Sequence, residues 1–295
     1  MTNPWPELEG SAQPVDSYVG PFPQSAFLQA WWRNLGAGDP MVAGDASSFI
    51  PLVVEGGEVT FAGRGDVTDY HSVRGDDFDR IAQSLIELRH ANKSVVLDSL
   101  PQSSAEGLTD AIRRLGAVVG CVPEDPGTAV MEVESDYLDG LSGKQRHELR
   151  RKHRRFVEAA VDSELVVSTG SDPLARFVGL HRMSDGDKGD FLDTHREKFF
   201  ADLSNSPGWE FAELRTEDEV AATFFGYRGS DAYYLYNSAF NPKFREVSPG
   251  IVGLYLLIEH LVLSGCHRID LLKGDETYKF RMGAVARPLF TVRIN

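Results

Sequence analysis

Apolar residues recur along this chain with two periods, and the switching between them predicts a mixed α/β protein. Phe27, Leu28, Trp31, Trp32 and Leu35 fall at i, i+1, i+4, i+5 and i+8 after Ser25. That spacing predicts a helix with Ser25 as N-cap, both tryptophans on one face, docked on a sheet. Strand-like runs follow at Phe49–Val54 and Val59–Gly63, separated by the turn sequence Glu55-Gly-Gly-Glu58. Phe78, Ile81, Leu85 and Leu88 give one apolar face to a helix from Asp77 to Ala91. Ser94–Leu100 then reads as a buried strand, Ala105–Leu115 as a helix, and Ala117–Val122 and Ala129–Val133 as strands that close the first half.

The second half repeats this order of elements with different residues. Helices at Pro173–Met183 and Thr194–Leu203 precede strands at Trp209–Arg215, Val220–Tyr227 and Ala232–Ser238. A helix from Pro249 to Ser264, a strand Arg268–Leu272 and a last strand Pro288–Ile294 complete it. Val95-Val-Leu-Asp98 and Arg268-Ile-Asp270-Leu occupy the same place, the strand after the long helix. Two copies of one mixed α/β unit is the economical reading. It gives a loosely held tail over residues 1–18, rich in Pro, Glu, Ser and Gly, and a first unit over 19–135. A basic connecting helix over 136–163 and a second unit over 164–295 follow.

Composition narrows the function classes. The 295 residues are 42% hydrophobic and carry a net charge of −14, which over most of the surface repels nucleic acid and anionic membrane. DNA and membrane are therefore not expected partners. Cys121 and Cys266 match no metal or redox spacing, and the N-terminus lacks a signal-peptide pattern, so free thiols and a cytoplasmic location are expected. The longest apolar stretch, Ile251–Leu263, contains Glu259 and His260 and is too short for a transmembrane helix.

Three stretches can carry chemistry. Lys144–Arg155 holds seven Lys or Arg against one Glu, a local charge of +6 that leaves −20 for the rest of the chain. Leu149, Phe156 and Ala160 provide a narrow apolar stripe for a helix over 142–160 with a broad cationic face. That face either grips phosphates or pairs with the protein's own carboxylates. His147-Glu148 is not a zinc-protease helix, since position 151 is Arg. In the second stretch, Phe244–Gly253, Ser248-Pro-Gly250 leaves backbone N–H groups open at a helix start, either an anion cradle or a simple helix start. The third, Asp270–Gly283, gathers carboxylates, a phenol and cations behind a strand end, an arrangement suited to tuned acid–base groups or to a salt-bridged turn. Asp185–Asp190 alternates acids but has Arg196 where a calcium loop needs Glu. Arg64-Gly-Asp66 and Arg74-Gly-Asp76 read as turns, and no GxSxG, P-loop or GxGxxG occurs.

Taken in order, Pro21-Phe-Pro-Gln-Ser25 through Trp31-Trp32, Leu141-Ser-Gly-Lys144-Gln-Arg, Ser248-Pro-Gly250 and Gly274-Asp-Glu-Thr-Tyr-Lys-Phe-Arg281-Met-Gly283 resemble the CelD/BcsL-like branch of the GNAT acyltransferases. That branch is similar in architecture to the FemAB/FemX aminoacyltransferases. The resemblance implies an α/β fold of mixed sheets in two tandem GNAT-like domains, with the donor held mainly by the C-terminal copy. It places the donor pyrophosphate at Arg245, Ser248, Gly250 and Ile251, and Lys144 and Arg151 of the basic helix join that donor-binding set. Ser248 stands where the family's Gln/Arg-x-x-Gly-x-Gly/Ala motif has its first Gly. The donor is thus open between acyl-CoA, acetyl-CoA in the first place, and aminoacyl-tRNA held by residues 144–155. No metal is implied.

Acyl transfer to an amine or hydroxyl of a small or sugar-like acceptor needs a base, an oxyanion partner and an acid for the leaving group. On that basis Lys279 and Arg281 are expected to supply a positive field, with Phe280-Arg281 in the place of a FemX Phe-Lys pair. Asp270 or Glu276 is expected as base, and Tyr278 or Tyr236 as acid. A non-catalytic binding protein of the same fold is the further alternative.

Overall fold

The computed structural model of the chain describes residues 3–294 apart from 64–66, 135, 161, 185, 186 and 218. Arg64-Gly-Asp66 and the start of the 185–190 loop thus lie outside the described residues. Two compact units result, one of residues 1–127 with 288–295 and one of residues 128–287.

In the first unit, α1 (Ser25–Asn34) leads into the hairpins of β1 (Asp39–Asp45), β2 (Ser48–Glu55) and β3 (Glu58–Phe61). Helix α2 (Phe78–Ala91), β4 (Ser94–Leu100), α3 (Gln102–Arg114) and β5 (Val119–Pro123) follow. The sheet order is β1-β2-β3-β4-β13-β5, where β13 is Phe290–Ile294 from the far end of the sequence. Strand β4 runs parallel to β3 and the other pairs are antiparallel. Its core joins Ile50, Leu52, Leu85, Leu97, Leu108 and Val292.

The second unit begins with β6 (Thr128–Glu132) and α4 (Gly143–Ala159). Next come β7 (Glu164–Ser168), α5 (Ser171–Arg182), the short α6 (Asp187–Asp190) and α7 (Thr194–Ser204). The remaining elements are β8 (Trp209–Arg215), β9 (Val220–Arg228), β10 (Ala232–Phe240), α8 (Pro249–Leu263), β11 (Arg268–Lys273), α9 (Thr277–Arg281) and β12 (Val285–Arg287). The order β12-β6-β11-β10-β9-β8-β7 repeats the first sheet's pattern: antiparallel hairpins, a parallel pair around a helix crossover, then two antiparallel strands. Asp98 and Asp270 do lie on the corresponding strands, β4 and β11.

Several sequence boundaries move. Thr128–Glu132 joins the second sheet instead of the first, and Phe290–Ile294 enters the first sheet instead of the second. Both segments are apolar and extended, and such a segment encodes a strand without encoding its partner. The described residues 3–18 are not a loose tail. Trp5 is fully buried, its Nε1 donates to the carbonyls of Met41 and Leu52, and it packs on Trp31 and Trp32. The face of α1 bearing the tryptophans therefore meets this segment. Ser25 does not cap α1, whose N-cap is Gln24 without a side-chain bond, and the Ser25 hydroxyl instead donates to Glu9.

The basic helix is likewise no connector. Ser142 and Gln145 form a capping box, and Leu149 and Phe156 enter the second unit's core. Among the described residues, no helix is long and apolar enough to cross a membrane.

Candidate active site

Strands β10 and β11 pair in parallel only over Ala232–Tyr234 and Arg268–Asp270. Beyond that point β10 has an irregularity between Leu235 and Asn237, and β11 breaks its register with β6 between Asp270 and Lys273. Leu272 adopts the left-handed region, φ 62°, and its N–H donates to Asp270 Oδ1 at 2.8 Å. Fully buried Asp270 therefore serves the strand break and is not one of the residues lining the cavity beyond it.

That cavity, about 460 Å³, lies where the parallel pairing ends and has the size of a small-molecule site. Phe224, Leu235, Phe240 and Leu254 give it apolar walls, and Ser238 adds a hydroxyl. Arg245, Ser248, Pro249, Gly250 and Ile251 line it from the start of α8, and Glu276 and Tyr278 from the segment after β11. Gly253 lets α8 lie close on β9, since a Cβ there would come within 2.6 Å of the Phe224 ring.

The α8 terminus has an unusual first residue. Ser248, its N-cap, is itself left-handed, φ 56° and ψ 55°, a conformation that glycine adopts without steric cost. Its side chain makes no capping bond to the helix. Instead Lys152 Nζ donates to Ser248 Oγ at 2.8 Å. Lys152 lies three residues after Leu149 and four before Phe156, on the packed face of α4, so its ammonium is delivered to the α8 terminus. Lys152 is not among the donor-binding residues expected from the sequence, and its helical spacing from Leu149 and Phe156 is the signal that marks it.

The other predicted cations go elsewhere. Arg151 makes a two-pronged pair with Glu148, 2.9 and 2.8 Å, which raises the guanidinium pKa and lowers that of the carboxyl. Lys144 is exposed. Neither lines the cavity.

On the opposite wall, burial pushes the Tyr278 hydroxyl up to about 12, with the Glu276 charge adding to the effect. Glu276, 55% exposed in its side chain, sits 3.0 Å from Lys279 Nζ. Lys279 is only 3% exposed, and its ammonium also donates to the carbonyls of Leu272 and Lys273. It fastens the turn after β11 and faces no open space. The turn needs glycine at Gly274, whose φ of 126° is a conformation that L side chains rarely adopt.

Arg281 is exposed, and neither it nor Lys279 is among the residues lining the cavity. Tyr236 is also separated from Tyr278. Alternation along β10 turns Leu235 into the core under α8 and Tyr236 into an aromatic group with Phe200 and Trp209, 5.4 and 5.3 Å between ring centres.

A family model described as the acetyltransferase (GNAT) domain matches residues 143–280, from the first residue of α4 to α9. No curated protein matches the chain in sequence. Solved structures share the fold at low identity. A conserved protein of unknown function from Bacteroides thetaiotaomicron has a TM-score of 0.68 at 13% identity, covering 98% of this chain and 95% of that one. FemX has a TM-score of 0.61 at 11% identity, with coverage of 99% and 96%. A tandem GNAT protein from the clavulanic acid biosynthesis pathway has a TM-score of 0.50 at 10% identity, with coverage of 99% and 93%. The mixed α/β fold with two sheets is thus that of FemX and tandem GNAT proteins.

Proposed function

We propose that the chain is a GNAT-type acyltransferase of the CelD/BcsL-like kind, acting on an amine or hydroxyl of a small or sugar-like acceptor. One observation carries this reading: a single cavity joins the α8 terminus, with Arg245, Ser248, Gly250 and Ile251, to Glu276 and Tyr278. Acyl-CoA, in the first place acetyl-CoA, is the favoured donor. Its diphosphate would meet the positive end of α8 beside Lys152, and its pantetheine arm the apolar wall.

The chemistry then needs few groups. Glu276, oriented by Lys279, takes the proton of the attacking amine or hydroxyl, which adds to the acyl carbonyl. Collapse of the adduct expels the thiolate, and Tyr278, which keeps its proton up to about pH 12, supplies it. Tyr278→Phe is expected to lower kcat about 100-fold with little change in donor affinity. Unchanged kcat would remove the tyrosine from this role.

Transfer from aminoacyl-tRNA is the second reading, favoured by the outward Lys144, Arg150 and Arg154 on α4. Thermal-shift measurements with acetyl-CoA, CoA and aminoacyl-tRNA separate the readings. Stabilisation by the CoA compounds supports the first. Stabilisation by tRNA alone, lost steeply with added salt, supports the second. No shift with any donor overturns both and leaves a binding protein.

A further inference from the structure

The first unit contains a cavity of about 400 Å³ that the acyl-transfer reading does not use. Two buried groups of opposite charge line it: Arg74, 6% exposed, and Asp16, 3% exposed. The Arg74 backbone is locked by paired bonds with Phe49, and residues 13 and 15 are bonded to residues 75 and 73 beside it. Its guanidinium is equally fixed, since Nε donates to the Ala12 carbonyl at 3.0 Å and Nη1 to that of Pro23 at 2.8 Å. A guanidinium has five N–H donors, so part of this fork is left over. No described carboxylate lies within ion-pair distance of it. Burial alone lowers its pKa, and no neighbouring charge offsets that loss of hydration.

Elsewhere the chain treats a buried charge differently. Fully buried Glu213 in the second unit receives both Arg176 and Arg215. Asp16 is held by the hydroxyls of Ser103 and Ser104, one on each carboxylate oxygen, which fixes its orientation and leaves lone pairs for another donor. A buried cation with spare donors and a buried carboxylate with spare acceptors thus share one cavity without pairing with each other.

We propose that this cavity binds a small zwitterion, an amino acid or related amino-carboxylate, with its carboxylate on Arg74 and its ammonium on Asp16. Such a ligand supplies both missing charges at once and buries neither unpaired. A simple carboxylate would leave Asp16 unanswered, and a simple amine would leave Arg74 so. The site is independent of the donor assignment in the second unit.

Calorimetric titration of the full chain with glycine, β-alanine, 4-aminobutyrate and 6-aminohexanoate tests it, with propionate and propylamine as single-charge controls. The series acts as a ruler for the separation of the two groups. One member is expected to bind at millimolar concentration and to exceed both controls by about tenfold or more. Asp16→Asn should weaken that member about tenfold while leaving propionate unchanged. Ser17→Trp, an exposed lining position, should abolish binding without removing a structural bond. Absence of binding by the whole series, binding no tighter than the controls, or unaltered binding in folded Ser17→Trp protein would overturn the proposal.

Discussion

The two units carry a helix N-terminus at the same point of the same strand pattern and finish it with opposite charge. At α2 the N-cap is Asp77, whose carboxylate accepts the Arg80 N–H at 3.0 Å. The Phe78 ring lies against Gly107 so closely that a Cβ there would come within 2.6 Å. That terminus is closed and already holds its anion. At α8 the N-cap is Ser248 with the Lys152 ammonium on its hydroxyl, Gly250 follows, and a cavity opens in front. The fold supplies a positive helix end twice, and the side chains of one turn decide whether a ligand can use it.

A related contrast lies beyond the helices. A left-handed residue breaks each following strand, Ser99 on β4 and Leu272 on β11, and a carboxylate satisfies its N–H, from Glu124 in the first unit and Asp270 in the second. The next helix differs. It is the thirteen-residue α3 in the first unit and the five-residue α9 in the second. The short helix brings Glu276 and Tyr278 to the cavity.

The comparison can be broken at several points. The largest effect is expected from truncation after Arg287, which removes β13 from between β4 and β5. Leu289, Val292 and Ile294 are all buried. Their loss, about 1.5–3 kcal/mol each, is comparable with the whole stability of a domain, about 5–15 kcal/mol. Hydrogen exchange should show the first unit unprotected and the second protected; protection of both would refute the strand assignment.

Next comes Glu213→Ala, expected to cost the second unit about 1.5–3 kcal/mol because the charged hydrogen bonds from two half-exposed arginines are lost. Burial would raise the Glu213 pKa, but hydrogen bonds from Arg176 and Arg215 outweigh it and hold the value below the usual range. The stabilisation is therefore full above the unfolded carboxylate pKa of about 4.3 and is lost as pH falls through the folded value. Chemical denaturation across the acid range should show a shallower loss in the variant.

Lys152→Met should weaken donor binding about tenfold at low salt, near 1.4 kcal/mol, with a smaller effect at high salt as screening removes the charge term. Titration calorimetry with acetyl-CoA would measure it, and equal affinities would take Lys152 out of the site. The smallest effect belongs to Asp77→Ala, about 1 kcal/mol of stability for a lost cap, with donor affinity unchanged. A gain in affinity there would mean that the first unit's helix end is a latent site.

Much of this arrangement was legible in the sequence where one face of an element is buried. Trp209–Arg215 is legible to the residue, and α2, α4 and α8 nearly so, because periodic apolar positions mark them. The edge strands β1 and β7 are not. Asp39–Asp45 contains Pro40 and Gly44, and Glu164–Ser168 is a short strand on the other sheet's rim, so neither has a strong alternating signal. At the site, the α8 terminus and Glu276 with Tyr278 were readable as clusters. The orientation of Tyr236, the burial of Lys279 and the reach of Lys152 depend on which face each residue presents.

The exchange of end strands also orders the making of the molecule. Residues 128–287 contain every strand of the second sheet, so that unit can close while residue 294 is still to be added. The first unit, although synthesised earlier, lacks an interior strand until then, and its β4 and β5 edges stay open for more than half the chain's synthesis. A nascent chain halted after residue 200 is therefore expected to engage chaperones through its earliest-made sheet, and the unit begun second should be the first to become resistant to protease.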